Sequence, residues 1–172
     1  MKKVKFLVLS ILLITLSIFN IQPDLKRVWA DSLVETVRTG QYPIALEYNP
    51  TNHDIYVADY ESDRVSVIDD VTNEVIDTIQ VGDSPRDIEY IENNNNLYVA
   101  NAFSEDISVI DGSTNKVIDT IIVGNYPFTT LEYNPITNKI YVANWGSQDV
   151  SVIDGNTNKV TDTIPVGVTH SL

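Results

Sequence analysis

Beyond residue 40 the apolar residues fall into short runs of five to seven, rich in Val, Ile, Tyr and Thr, with Asn, Asp, Gly and Pro clustered between them. The first four runs are "IALEY", "IYVAD", "RVSVID" and "VIDTIQV". They are separated by "NPTNH", "YESD" and "DVTN", and "GDSP" leads onward. Runs of this length bounded by turn-forming residues predict strands joined by hairpins, because β-branched and aromatic side chains suit a pleated sheet while Asn, Asp, Gly and Pro suit the turns. No stretch after residue 30 keeps a helical period. Each group of four runs therefore predicts one four-stranded antiparallel sheet.

The pattern repeats. "YVA" opens at Tyr56, Tyr98 and Tyr141, and "SVID" at Ser66, Ser108 and Ser151, each at spacings of 42 and 43. Gly40, Gly82, Gly124 and Gly167 follow at 42, 42 and 43, and Pro43, Pro85 and Pro127 stand three residues after the first three glycines. The one extra residue lies between Gly124 and Leu131, in "NYPFTT", where a bulge at the start of a strand would absorb it. Tandem four-stranded units of this length indicate propeller blades, over about 41–82, 83–124 and 125–167, with a short tail at 168–172. The segment "SLVETVRTG" (residues 32–40) aligns without gaps on "EVIDTIQVG" (residues 74–82) and predicts a leading outermost strand. The expected fold is all-β: three four-stranded antiparallel blades plus one leading outer strand, forming an incomplete ring. Rings need roughly 4–8 blades, so the remaining blades are expected in a longer chain or in trans, the alternative being a stable open arc.

The phrase "YVAN…SVIDGSTNKVIDTI.VG..P" resembles the YVTN repeat of exported and surface-layer β-propellers, over residues 32 to about 167. Ala58, Ala100 and Ala143 stand where the family name has Thr. The resemblance implies a cell-surface location and a role in adhesion or protein–protein contact. Related propellers also include lactonases and haem- or quinone-dependent oxidoreductases, which is the rival reading; a surface-layer structural element is a third.

The first thirty residues are of another kind. Lys2, Lys3 and Lys5 precede an apolar run over residues 6–21, and Val28 and Ala30 supply the small residues a signal peptidase requires. This predicts a secretory signal, residues 1–30, removed after Ala30. An uncleaved N-terminal anchor is the alternative, although the run is short of the ~20 residues that span a bilayer. Either way the remainder is exported, with no membrane contact beyond that segment.

Composition narrows the function. The 172 residues carry 11 Lys+Arg against 24 Asp+Glu and no Cys. Without residues 1–30 the balance is 6 basic to 23 acidic, a net charge of −17. Such a chain is no nucleic-acid binder, because phosphate contacts need a basic face. Absence of Cys excludes disulfides and thiolate chemistry.

Two rims can be told apart. The turns inside "NPTNHD", "DGSTNK" and their copies repeat closely and read as structural, Asp-Gly and Asn being turn residues. The opposite rim varies and is aromatic: "DYESD", "NAFSED" and "NWGSQD" between second and third strands, "GQYP", "GDSP" and "GNYP" between units. Tyr42, Tyr60, Phe103, Tyr126 and Trp145 are thereby expected on one face beside Glu61, Asp63, Glu105 and Asp106. They form the candidate binding face for a protein or a cell-surface glycan; the alternative is local packing over the hairpin ends.

Other constellations are weaker. Glu47, Glu89 and Glu132 recur on the innermost strand, either facing solvent near the axis or ringing a cation. Asp59, Glu61 and Asp63 are spaced like an oxygen-ligand loop but lack its Gly and distal Glu. With only His53 and His170, neither a His-based metal site nor a catalytic triad is expected, and no cofactor or catalytic residue is assigned.

Overall fold

The computed structural model describes residues 36–166. The chain divides into two units, Met1–Thr36 and Val37–Leu172, and apart from Thr36 the described residues belong to the second. The expected leader (residues 1–30) and tail (168–172) lie outside the described residues.

Twelve strands form three separate four-stranded antiparallel sheets. The first contains β1 (Pro43–Asn49), β2 (Asp54–Asp59), β3 (Arg64–Asp69) and β4 (Val75–Gln80). The second contains β5 (Pro85–Ile91), β6 (Asn96–Asn101), β7 (Asp106–Asp111) and β8 (Lys116–Ile122). The third contains β9 (Pro127–Asn134), β10 (Lys139–Asn144), β11 (Asp149–Asp154) and β12 (Lys159–Pro165). Strand order in space follows sequence order in every sheet, as hairpin connections require. The inner strands β1, β5 and β9 pack against one another while the outer strands β4, β8 and β12 barely meet, so the sheets fan out as propeller blades without closing a ring.

The leading strand expected over 32–40 is not formed in its described part: residues 36–40 have no strand structure, and 32–35 lie outside the described residues. An outer strand needs a free third-strand edge. Here β3, β7 and β11 are already occupied by β4, β8 and β12.

Alternation along each strand sends successive side chains to opposite faces, and both faces of the middle blade are covered. Tyr56, Ala58, Val65, Val67 and Ile79 of the first blade pack on Ile88, Leu97, Val99 and Ile110 of the second. Tyr98, Ala100, Ile107, Val109 and Ile121 then pack on Leu131, Ile140, Val142 and Ile153 of the third. Each fully buried Val, Leu or Ile contributes about 1.5–3 kcal/mol, so stability resides between blades and not within one. The outward faces show the difference: Leu46 is 68% exposed, whereas its counterparts Ile88 and Leu131 are 3% and 4% exposed.

Polar links fasten the same seams. Tyr56 Oη donates to Asn115 Oδ1 (2.6 Å) and Tyr98 Oη to Asn158 Oδ1 (2.6 Å), each reaching into the next blade. Asn52 and Asn94 donate to the carbonyls of Gly112 (3.0 Å) and Gly155 (3.1 Å). In the first two blades the Tyr of "YVA" is thus a buried inter-blade clasp.

Every blade has a register shift at the start of its inner strand, between Pro43 and Ala45, between Pro85 and Asp87, and opposite Val142/Asn144. In the third blade Pro127 to Leu131 on β9 faces Asn144 to Val142 on β10, one residue more than in the others; this is where the additional residue of "NYPFTT" is absorbed.

In the tight turns the left-handed position falls to Asn, one of the turn residues the sequence supplies there. Gly112 and Gly155 do not take the left-handed conformation; among the described residues no glycine does. Asn115 (φ 54°) and Asn158 (φ 54°) carry it instead, three residues later in each turn. Asn tolerates that region because its short amide can bond locally.

Candidate functional site

The candidate face lies on the rim formed by the β2–β3, β6–β7 and β10–β11 loops and by the links between blades. Backbone pairs stitch loop to link within each blade: Tyr60 N donates to Tyr42 O (3.0 Å), Ala102 N to Ser84 O (3.0 Å), and Trp145 N to Tyr126 O (2.9 Å). Tyr42 (φ 53°), Ser84 (φ 58°) and Tyr126 (φ 52°) hold equivalent left-handed positions immediately before Pro43, Pro85 and Pro127. For a tyrosine this conformation costs on the order of 1 kcal/mol. The stitched backbone holds it, and so aims the ring outward.

Beneath the rim a polar knot anchors each loop. Asn101 Nδ2 donates to Asp106 Oδ1 (2.7 Å) and to Ser108 Oγ (2.9 Å), and Asn144 does the same to Asp149 (2.7 Å) and Ser151 (2.9 Å). Gly82 closes the knot from the preceding link, its N–H donating to Ser108 Oγ (3.3 Å). A Cβ at Gly82 would fall 2.7 Å from Asn101 Nδ2, which is why that landmark carries no side chain.

Four of the five candidate aromatics come together. Tyr60 meets Phe103 (centroids 6.5 Å apart), Phe103 meets Tyr126 edge-on (5.5 Å, 78°), and Tyr126 meets Trp145 edge-on (6.4 Å, 89°). Tyr42 stands apart, 69% exposed, without a ring contact among the described residues.

Two members were not singled out from the sequence. Phe128, at the start of β9, lies 6.4 Å from Trp145. Arg86, at the start of β5, sets its guanidinium carbon 3.7 Å from the Phe128 centroid and 4.2 Å from that of Tyr60. The six side chains complete a circuit: Tyr60, Phe103, Tyr126, Trp145, Phe128, Arg86 and back to Tyr60. A signal for Arg86 did exist, since equivalent positions hold Ile44 and Phe128, and a cation among apolar counterparts marks a departure from the repeat. Beside the circuit a hollow of about 510 Å³ is lined by Ala143, Asn144, Trp145, Gly146, Gln148, Asp149 and Val166.

The remaining candidates resolve as structural. Asp59 is fully buried and holds Ser66 Oγ (2.6 Å), while Asp63 Oδ1 accepts from Ser84 N (2.9 Å), so both carboxylates bond within the fold itself. His53 Nδ1 is hydrogen-bonded to the Tyr48 hydroxyl (2.7 Å), and His170 lies outside the described residues. On the inner strands Glu89 is pushed up to about 7, first by burial and then by the charges of Glu47, Glu132 and Asp87. Burial likewise raises Glu47, with Asp87 adding to it. Among the described residues no cluster of three or more His, Asp or Glu is arranged to hold a metal ion.

Neither a protein-family model nor a curated protein sequence matches the chain. Solved structures do. Hydrazine synthase of Kuenenia stuttgartiensis superposes with a TM-score of 0.66 at 22% identity, over 77% of this chain and 38% of that one. The dihydro-heme d1 dehydrogenase NirN, in complex with DHE, gives 0.66 at 13% identity, over 78% of this chain and 30% of that one. AztD of Citrobacter koseri gives 0.60 at 17% identity, over 77% and 37%. All are β-propeller proteins, and the chain spans between 30% and 38% of their lengths.

Proposed function

We propose that the chain supplies three blades of an exported, YVTN-type β-propeller that binds a partner at the cell surface through its aromatic rim and performs no catalysis. The observation that carries this reading is the circuit of five rings and one guanidinium on a single rim, with Trp145 72% exposed. Trp, Tyr and Arg are the residues most enriched at binding hot spots, since they offer large, stiff contact area with a polar tip. Those rings stand on loops held by a rigid sheet scaffold, where binding residues concentrate. Export is supported by the basic and apolar leader, and an acidic remainder suits solubility outside the cell.

Two of the structural neighbours bear the names of enzymes. At 22% and 13% identity that likeness brings the fold and leaves the chemistry behind. The exposed apolar faces of the first and third blades support further blades there, in a longer polypeptide or in trans.

The test is retention of the purified protein on cell envelopes, for the wild type and for Trp145→Ala and Phe103→Ala. The expected result is at least a tenfold loss of retention in both variants, roughly the truncation effect of a hot-spot aromatic. Equal retention of all three proteins would remove the rim from consideration.

A further inference from the structure

Arg86 is held in an unusual way. Its guanidinium lies over the Tyr60 and Phe128 rings, its Nε is shut off from solvent without a hydrogen-bond partner, and no carboxylate of the described residues pairs with it. Residues 31–172 contain 23 acidic side chains and only 6 basic ones, so a cation with no acidic partner is itself notable. Packing against two π faces fixes the plane of the guanidinium and offsets its desolvation. With two rings against it and its Nε closed off, the terminal N–H groups are what it has left for a ligand, and a pair of such donors is the geometry that grips a carboxylate through two parallel hydrogen bonds.

We infer that Arg86 makes the rim a receptor for a peptide segment bearing one carboxylate flanked by apolar side chains. Three observations select that occupant, and the inference rests on the rim being the binding face. The apolar flanks would meet Phe103 and Trp145, which are 49% and 72% exposed on the same circuit. Glu61, Asp63 and Glu105 stand in the same loops, so a polyanion is repelled where a single carboxylate is accepted. Tyr126 meets its ring neighbours at 78° and 89°, so the rings are not coplanar and make no continuous flat platform for a sugar face.

The full chain is titrated by NMR, following the Trp145 indole and Arg86 Nε–H signals, with three probes. These are N-acetyl-Leu-Asp-Leu-amide, its Asn isostere and glucuronic acid. The expected result is that the Asp peptide moves both signals and binds about tenfold more tightly than the Asn peptide, the usual worth of a charge-assisted pair. In Arg86→Gln the two peptides should bind alike, and Arg86→Lys should fall between because it keeps the charge and loses the fork. The wild-type comparison of Asp with Asn needs no variant, so the test stands even if Arg86→Gln does not fold. Equal binding of the two peptides with Trp145 still shifting would overturn the role of Arg86 and leave the rim reading intact. No shift of Trp145 with any probe would overturn both. Glucuronic acid binding as tightly as the Asp peptide would reassign the site to a sugar and overturn the peptide inference.

Discussion

Asp59 and Arg64 face each other across the β2–β3 pair at 3.7 Å, at positions where the other two blades place Asn101 with Asp106 and Asn144 with Asp149. The charge has changed residue within the pair: the buried member is an acid in the first blade and an amide in the others. The partner has changed with it, from an acid to Arg64. Ser66, Ser108 and Ser151 hold the buried member in all three.

This exchange gives the first expectation. Asn101→Asp places a second carboxylate against Asp106 in a fully buried site. It should cost about 3 kcal/mol or more at neutral pH, easing on acidification as one carboxyl takes a proton. Adding Asp106→Arg should recover most of that loss. Urea denaturation of the single and double variants reads it; no recovery in the double variant would contradict the paired exchange.

The inter-blade clasp gives a second. Tyr98→Phe removes the hydroxyl that bonds Asn158 and accepts from Asn94, at a cost of about 1–2 kcal/mol. Tyr141 occupies the same repeat position on the outward face of the third blade and is only half-buried. Tyr141→Phe should therefore change the unfolding midpoint far less. Similar losses in both variants would show that the blade seam is not what Tyr98 serves.

Glu89 sets a pH dependence. Its ordinary value of 4.5 rises to about 7 in the folded chain, so the folded state holds that proton more tightly than the unfolded state does. The stabilisation is complete below about pH 4.5, declines as pH rises, and is gone above about pH 7. Thermal melts should thus show a falling midpoint from pH 5 to pH 8, and Glu89→Gln should flatten the slope. A slope unchanged in Glu89→Gln would place its origin elsewhere.

Gly82 should be intolerant of even one methyl group. An added Cβ meets Asn101 and Ser104 inside the polar knot, and displacing them costs about 1–3 kcal/mol. Because the knot also holds the loop that presents Phe103, Gly82→Ala should weaken binding at the rim together with stability. A neutral effect on the melting midpoint would show that the knot has slack.

Much of this protein is determined by local physics and was legible along the chain. The runs "IYVAD" and "RVSVID" became β2 and β3 with ends within one residue, because strand propensity and turn chemistry act over a few residues. The two rims followed, since antiparallel hairpins send alternate turns to opposite ends. The tertiary structure decided which side chains act together. Tyr42 and Tyr126 share one repeat position and one left-handed backbone, yet only Tyr126 has Phe103 and Trp145 beside it. Arg86 acquires its setting from Tyr60 of the preceding blade and Phe128 of the following one. The turns divide their labour in the same way: Asn115 and Asn158 take the left-handed backbone, while Gly112 makes room for Asn49 of the neighbouring blade. Hydrophobic period and turn residues are properties of adjacent positions; the company a side chain keeps across a blade seam depends on residues some forty positions away, and only packing brings those together.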